Sequence, residues 1–144
     1  MVLSALAATE AAADAEVLAE FERELLRRAA QLPTLSLSSV TKAFARLGYR
    51  AHGALLDAVV AAADAKLARF GIASLSDLLW GLAAFERRDA AFLQRVEKFA
   101  CVALELCTEH QVASITESLR AMGHRPNALA AHARQLGFEE AYTE

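Results

Sequence analysis

One segment recurs three times along this 144-residue chain, at intervals of 37 and 38 residues. Residues 75–88 align with residues 37–50 after a shift of 38, and with residues 112–125 after a shift of 37. The spacing within each copy is 3, 4 and 3 residues between apolar positions, which is typical of one face of an amphipathic helix. Four apolar columns stay in register: Leu37/Leu75/Val112, Val40/Leu78/Ile115, Phe44/Leu82/Leu119 and Leu47/Phe85/Met122.

Each copy continues into a second segment with an apolar stripe, so one unit is predicted to be a pair of helices. Residues 13–32 align with the second helix of the first unit and are predicted to be the leftover second helix of an incomplete leading unit. The first helices are predicted over residues 38–48, 75–86 and 110–122, and the second helices over residues 52–70, 90–106 and 126–136.

Residues that cap helices stand at these boundaries. Thr108 followed by Gln111, and Ser74 followed by Asp77, resemble capping boxes, in which a side-chain oxygen accepts a hydrogen bond from a free backbone N–H. The first helices should end where glycine favours a left-handed backbone, at Gly48 and Gly123. The middle unit has Glu86 in that place.

The composition agrees with a helical chain. Ala and Leu, which lose little on entering a helix, dominate it, and only 6 glycines and 2 prolines interrupt them. One helical pair cannot bury both of its faces, so repeated pairs stack on one another. We predict an all-α fold, a short α-solenoid of about three and a half helix-turn-helix repeats with a 37–38-residue period. It forms a single domain over residues 1–144, with a partial repeat or cap and three repeats: residues 1–34, 35–72, 73–108 and 109–144.

Patterns typical of a membrane span, a metal site or an active site are missing from the sequence. No apolar run reaches the roughly 18–20 residues that cross a bilayer. Cys101 and Cys107 point to different faces of a helix, so they share neither a metal ion nor a disulfide. The histidines lack zinc-ligand spacing, and no Gly-rich phosphate loop or nucleophile motif occurs. We predict a protein that is not an enzyme, with no cofactor, no small-molecule substrate and no membrane span.

The net charge of −3 conceals a basic middle between two acidic ends. Residues 25–134 sum to +5, whereas residues 1–24 sum to −5 and the last ten residues to −3. The repeat has a fifth column that is basic, Arg50/Arg88/Arg125, and stacking should align it as a ridge. Guanidinium groups stay charged and bind phosphate oxygens through paired hydrogen bonds. We predict an RNA-binding ridge of Arg46, Arg50, Arg87, Arg88, Arg120, His124 and Arg125.

Both the ridge and the sole tryptophan have a structural alternative. Arginines near a helix C-terminus also complement the helix dipole and cap its carbonyl groups. Trp80 can stack on a base, but its place in an amphipathic pattern favours packing in the core or between repeats.

The middle copy reads Leu-Leu-Trp-Gly-Leu-Ala over residues 78–83, followed by Phe85 and then Arg87 and Arg88. This run resembles the leucine-tryptophan-alanine-leucine-alanine signature of octotricopeptide and heptatricopeptide repeats, and the period suits those families. The resemblance covers roughly residues 35–136. It implies an α-solenoid of mitochondria, or alternatively of plastids, that is tied to organellar RNA or to the structure of the mitochondrial ribosome.

Two functions are consistent with these features. The first is a structural, RNA-associated component of an organellar ribonucleoprotein such as the mitochondrial ribosome, with ribosomal RNA and neighbouring proteins as partners. The second is a protein–protein scaffold subunit of an organellar complex without nucleic-acid contact. Only the first predicts binding that weakens steeply with salt and with reversal of the charges at Arg50, Arg88 and Arg125.

Overall fold

Every regular element in the computed structural model is a helix, across the residues that it describes, 15–48 and 53–138. This confirms the all-α prediction for these ranges. The described part of the chain forms seven α-helices: α1 (Ala15–Arg28), α2 (Thr34–Leu47), α3 (Gly53–Ala65), α4 (Ile72–Ala84), α5 (Ala90–Val102), α6 (Glu109–Ala121) and α7 (Asn127–Gln135).

The helix bounds recur at the interval of the sequence repeat. The first helices of the units, α2, α4 and α6, begin at Thr34, Ile72 and Glu109, which are 38 and 37 residues apart. The second helices α3 and α5 are shorter than predicted because their last turns tighten into 3₁₀ turns, at Leu67–Arg69 and Leu104–Leu106. The tighter hydrogen bonds satisfy carbonyl groups that a helix end leaves without partners.

One of the two predicted capping boxes is present. The Gln111 backbone N–H donates to Thr108 Oγ1 at 3.1 Å, and the Thr108 N–H donates to Gln111 Oε1 at 2.9 Å. The box predicted at Ser74 is wrong, because α4 begins earlier, at Ile72, and Ser74 lies inside its first turn. Its carbonyl oxygen instead accepts the Ser38 hydroxyl at 2.6 Å, which joins α2 to α4.

The first helices end on left-handed residues, as the glycine positions predict. The φ angle is 67° at Gly48 and 81° at Gly123. Glu86 takes the same conformation in the middle unit, with a φ of 58°, and among the described residues it is the one non-glycine with a positive φ. The turn thus keeps its geometry where its favoured residue is absent.

Helices contact the helix two places further along the chain. α2 contacts α4 and α4 contacts α6, while α1 contacts α3, α3 contacts α5 and α5 contacts α7. The first and second helices therefore form two rows, with the apolar columns of the repeat between them. All residues of those columns are buried except Leu47 and Phe85, which are half-buried.

A glycine sets the distance between α2 and α4. A Cβ atom on Gly81 would lie 2.8 Å from Thr41 Cγ2 and 3.1 Å from the Thr41 backbone carbonyl carbon and oxygen. Real Cβ atoms essentially never come as close as 2.8 Å, and 3.1 Å is a tight contact, so a side chain at this position would force Thr41 or the two helices to shift.

Candidate functional site

A groove of about 960 Å³ opens at the turn between α6 and α7. The described residues that line it include three arginines and a histidine, and none of them carries a carboxylate. The groove is therefore a concave surface of positive charge. Its basic residues are Arg120, His124, Arg125 and Arg134.

The groove arginines have no partners within the described part of the chain. Arg120, Arg125 and Arg134 are exposed, and none of them forms a hydrogen bond or ion pair with another described residue. Arg88, also exposed, reaches the rim of the groove, where its Nη1 would lie 3.7 Å from a Cβ placed on Gly123. Four exposed guanidinium groups thus lie around one turn.

The turn itself is built by the end of α6. Gly123 is left-handed, its N–H donates to the Arg120 carbonyl at 2.9 Å, and the His124 N–H donates to the Leu119 carbonyl at 2.9 Å. This pair of bonds is the Schellman arrangement that closes helix C-termini. It reverses the chain within a few residues, so that Arg120 and Arg125 line the same groove.

A buried carboxylate lies below the groove and fixes its wall. Glu97 of α5 is 9% exposed, its Oε1 lies 2.8 Å from His124 Nε2, and its Oε2 accepts the Leu129 N–H at 3.0 Å. Leu129 is the third residue of α7, so the carboxylate sits at the N-terminus of that helix, where negative charge is favoured. Sequence reasoning missed Glu97, although an acid inside the apolar stripe of a helix was a usable signal.

Arg87 is held in a structural contact. Its side chain is 22% exposed, and its Nη2 pairs with Asp57 of α3 and, at 3.1 Å, with Asp89. Burial alone would lower the pKa of the Arg87 guanidinium, but its hydrogen bonds to the two carboxylates outweigh burial and raise the pKa. Its Nε is buried without a partner in the described structure. Arg87 therefore joins α3 to the turn between α4 and α5.

The predicted ridge is divided by the fold. Arg88, Arg120, His124 and Arg125 meet around the α6–α7 turn, where Arg134, which the sequence did not single out, joins them. Arg50 lies outside the described residues. The remaining two predicted residues lie away from the groove. Arg87 forms ion pairs, and Arg46 lies on the outer face of the row formed by α2, α4 and α6.

Trp80 is not buried in the core, which was one of the two packing positions predicted for it; it lies instead between the first helices of neighbouring repeats. Its side chain is 44% exposed, between two shallow grooves on the outer face of α2, α4 and α6. The physical reason is its position, since the buried residues of α4 are Leu75, Leu78, Leu79, Gly81 and Leu82, and Trp80 points away from them. The equivalent residues in the other units are polar, Lys42 and Glu117.

The cysteines and histidines form no metal-binding group within residues 15–48 and 53–138. Burial raises the pKa of the Cys107 thiol, and burial together with the charge of Glu97 raises the pKa of Cys101, so both thiols stay protonated and weakly reactive. In the same ranges, no helix has the length and apolar character that a membrane span requires.

Comparison with known proteins gives no relative from which a function can be transferred. No family model, curated protein or solved structure matches the chain. What the groove binds must therefore be inferred from its own residues and charges.

Proposed function

We propose that the protein is a non-catalytic α-solenoid that binds RNA phosphates in the α6–α7 groove. It would act as a structural component of an organellar ribonucleoprotein, such as the mitochondrial ribosome. The observation that supports this most is the set of exposed guanidinium groups at Arg88, Arg120, Arg125 and Arg134, which pair with no described residue and surround a groove that no described carboxylate lines.

The chemistry of the groove favours phosphate over other anions. Guanidinium groups have a planar fork of donors that matches two phosphate oxygens, and they keep their charge at every physiological pH. Several of them around one concave surface can bind successive phosphates of a polyanion, with release of counterions. A single carboxylate ligand would leave most of these groups unused.

The solenoid arrangement is supported by the two rows of helices. Contacts between helices two places apart, at a constant interval of 37–38 residues, are what a stack of helical pairs requires. The assignment to mitochondria, with plastids as the alternative, depends on the resemblance of the middle copy to octotricopeptide and heptatricopeptide repeats.

The overall charge favours a protein embedded in an assembly. The chain carries a net charge of −3, and its acidic ends repel a nucleic acid that approaches from solution. Neighbouring proteins that cover the ends would remove this repulsion and leave the basic groove facing RNA.

A protein–protein scaffold without nucleic acid is the second candidate. It is favoured by two apolar side chains near the end of α5, Val102 and Leu106, which are 83% and 84% exposed. Apolar groups this exposed are typical of surfaces that a partner covers.

The test is affinity purification of the tagged protein from its native cells, followed by sedimentation with and without RNase and by mass spectrometry. We expect co-sedimentation with ribosomal or other RNA-binding proteins, in fractions that collapse after RNase. In the matched variant, Arg120, Arg125 and Arg134 are changed to Glu. This variant should no longer co-sediment with those fractions. A complex of the same size after RNase, which the variant still joins, would contradict the proposal and support the scaffold.

A further inference from the structure

Trp80 stands on a surface of its own, away from the phosphate groove. Trp80 lines a groove of about 510 Å³ together with Lys42 and Arg46 of α2 and His110 of α6. Trp80 also lines a smaller groove of about 320 Å³, together with Glu117 of α6. An exposed aromatic ring is thus accessible between the first helices of three successive units.

The two grooves differ in charge. On the larger side, Lys42 pairs with Asp77 at 2.9 Å, while the exposed Arg46 guanidinium forms no ion pair with a described residue. On the smaller side, Glu117 is exposed and would repel a phosphate. A nucleotide on Trp80 would therefore direct its phosphate toward Arg46.

The wall between the grooves is fixed. Ser76 donates its hydroxyl to Ser114 Oγ at 2.9 Å, which ties α4 to α6 directly beside Trp80. The close approach at Gly81 ties α4 to α2. The helix that presents the indole is thus held on both sides, so that binding orders little beyond the side chain itself.

We propose that Trp80 is a stacking platform for one base of single-stranded RNA, with Arg46 binding the phosphate next to it. This rests on the proposed function and specifies its ligand as a single strand. Every base has a face that stacks on an aromatic ring, whereas bases inside an A-form duplex are already stacked on their neighbours and do not reach a side chain.

Trp80 is the only tryptophan of the chain, so its fluorescence reports on the platform directly. The probes are oligoadenylate, the same strand annealed to oligouridylate, and inorganic polyphosphate. We expect oligoadenylate to quench the emission and the other two to leave it unchanged at concentrations where they bind. This experiment uses the unaltered chain, so its result does not depend on whether a variant folds.

Affinity is measured separately, by the anisotropy of labelled oligoadenylate. Loss of one base–aromatic stack in Trp80→Ala should weaken binding about 5- to 150-fold, Trp80→Phe should weaken it less, and Arg46→Gln should reduce the quenching. The matched control is Leu106→Ala, which removes an equally apolar exposed side chain elsewhere and should bind like the unaltered chain. Circular dichroism checks that each variant is folded.

The outcomes separate this inference from the proposed function. If oligoadenylate binds with an affinity that depends on Arg125 but quenches nothing, and Trp80→Ala binds equally well, the platform is wrong and phosphate binding stands. If the duplex quenches as strongly as the single strand, the preference for single strands is wrong. If no RNA binds at all, both proposals fail.

Discussion

The carboxylate of Glu97 lies 2.8 Å from the Nε2 atom of His124, and this contact joins α5 to the turn that carries the basic groove. The same carboxylate accepts the Leu129 N–H of α7. One buried acid therefore holds both walls of the groove in place. Replacing Glu97 should therefore lower the stability of the fold. It should also weaken the proposed RNA binding, because the shape of the groove changes.

Replacing Glu97 by Ala should lower the free energy of unfolding by about 1–3 kcal/mol, because it leaves buried donors without an acceptor. Glu97→Gln keeps one oxygen acceptor and should cost less than Glu97→Ala. Urea denaturation measures both. The control is Glu105→Ala, an exposed acid that follows α5, which should change stability by no more than about 0.5 kcal/mol. Equal losses at the two positions would contradict the role given to Glu97.

Arg87 should be coupled to Asp57 in a double-mutant cycle. Because Asp57 is 69% exposed, solvent screens the pair, and we expect a coupling free energy of about 0.2–1 kcal/mol from Arg87→Ala and Asp57→Ala. The coupling should decrease at high salt. The matched pair is Arg27 with Glu24 on α1, where the arginine is 74% exposed against 22% for Arg87, so the coupling free energy should be smaller. A cycle that closes to zero for Arg87 would show that its ion pair is not structural.

Glu86→Gly should stabilise the fold. A left-handed backbone destabilises a residue with a Cβ by about 1–2 kcal/mol, and glycine removes this strain. Glycine also loses more backbone entropy on folding, which offsets the gain in stability by about 0.5–1 kcal/mol. The net gain should be about 0.5–1 kcal/mol, measured by thermal or urea unfolding.

The opposite sign is expected for the same substitution within a helix. Glu117 is exposed in the middle of α6, and Glu117→Gly should destabilise by about 0.5–1 kcal/mol. If both variants are destabilised, the backbone at Glu86 is not left-handed.

Gly81→Ala should destabilise by about 1–3 kcal/mol although alanine is the better helix former, because the new Cβ meets the Thr41 backbone. Gly53→Ala is the control, since nothing lies within 4 Å of its Cβ position. That variant should be as stable as the unaltered chain or gain up to about 1 kcal/mol. Chemical denaturation of the two variants side by side decides whether the approach of α2 to α4 is as close as described.

Periodic apolar patterns made the helices predictable, whereas their ends depended on contacts that a pattern does not contain. The stripe through Leu75, Leu78 and Leu82 locates α4, and these residues are buried. The predicted start of α4 was wrong because the helix begins two residues before Ser74, whose carbonyl oxygen accepts a hydrogen bond from Ser38 of the preceding unit. Local capping rules cannot show a bond between residues 36 positions apart.

The site was predictable only in part, for a similar reason. The recurring column located Arg88 and Arg125 beside the groove. Arg87 is the direct neighbour of Arg88, yet its side chain is taken up by Asp57, 30 residues earlier in the chain. The packing of α3 against the turn decides which of the two adjacent arginines pairs with Asp57, and this is visible only in the folded chain.

Binding of single-stranded RNA across a salt series tests the central claim most directly. The dissociation constants are compared for the unaltered chain, for the variant with Arg120, Arg125 and Arg134 changed to Glu, and for Arg69→Glu. Arg69 is the matched control because it is an exposed arginine in the turn after α3, outside the groove.

For the unaltered chain and the control, the logarithm of affinity should fall linearly with the logarithm of the salt concentration. The groove variant should bind more weakly, and its slope should be smaller by about 2, at roughly 0.7 for each lost phosphate contact with a single strand. Equal slopes and affinities for all three proteins, or no binding by the unaltered chain, would contradict the assignment of the groove to RNA phosphates.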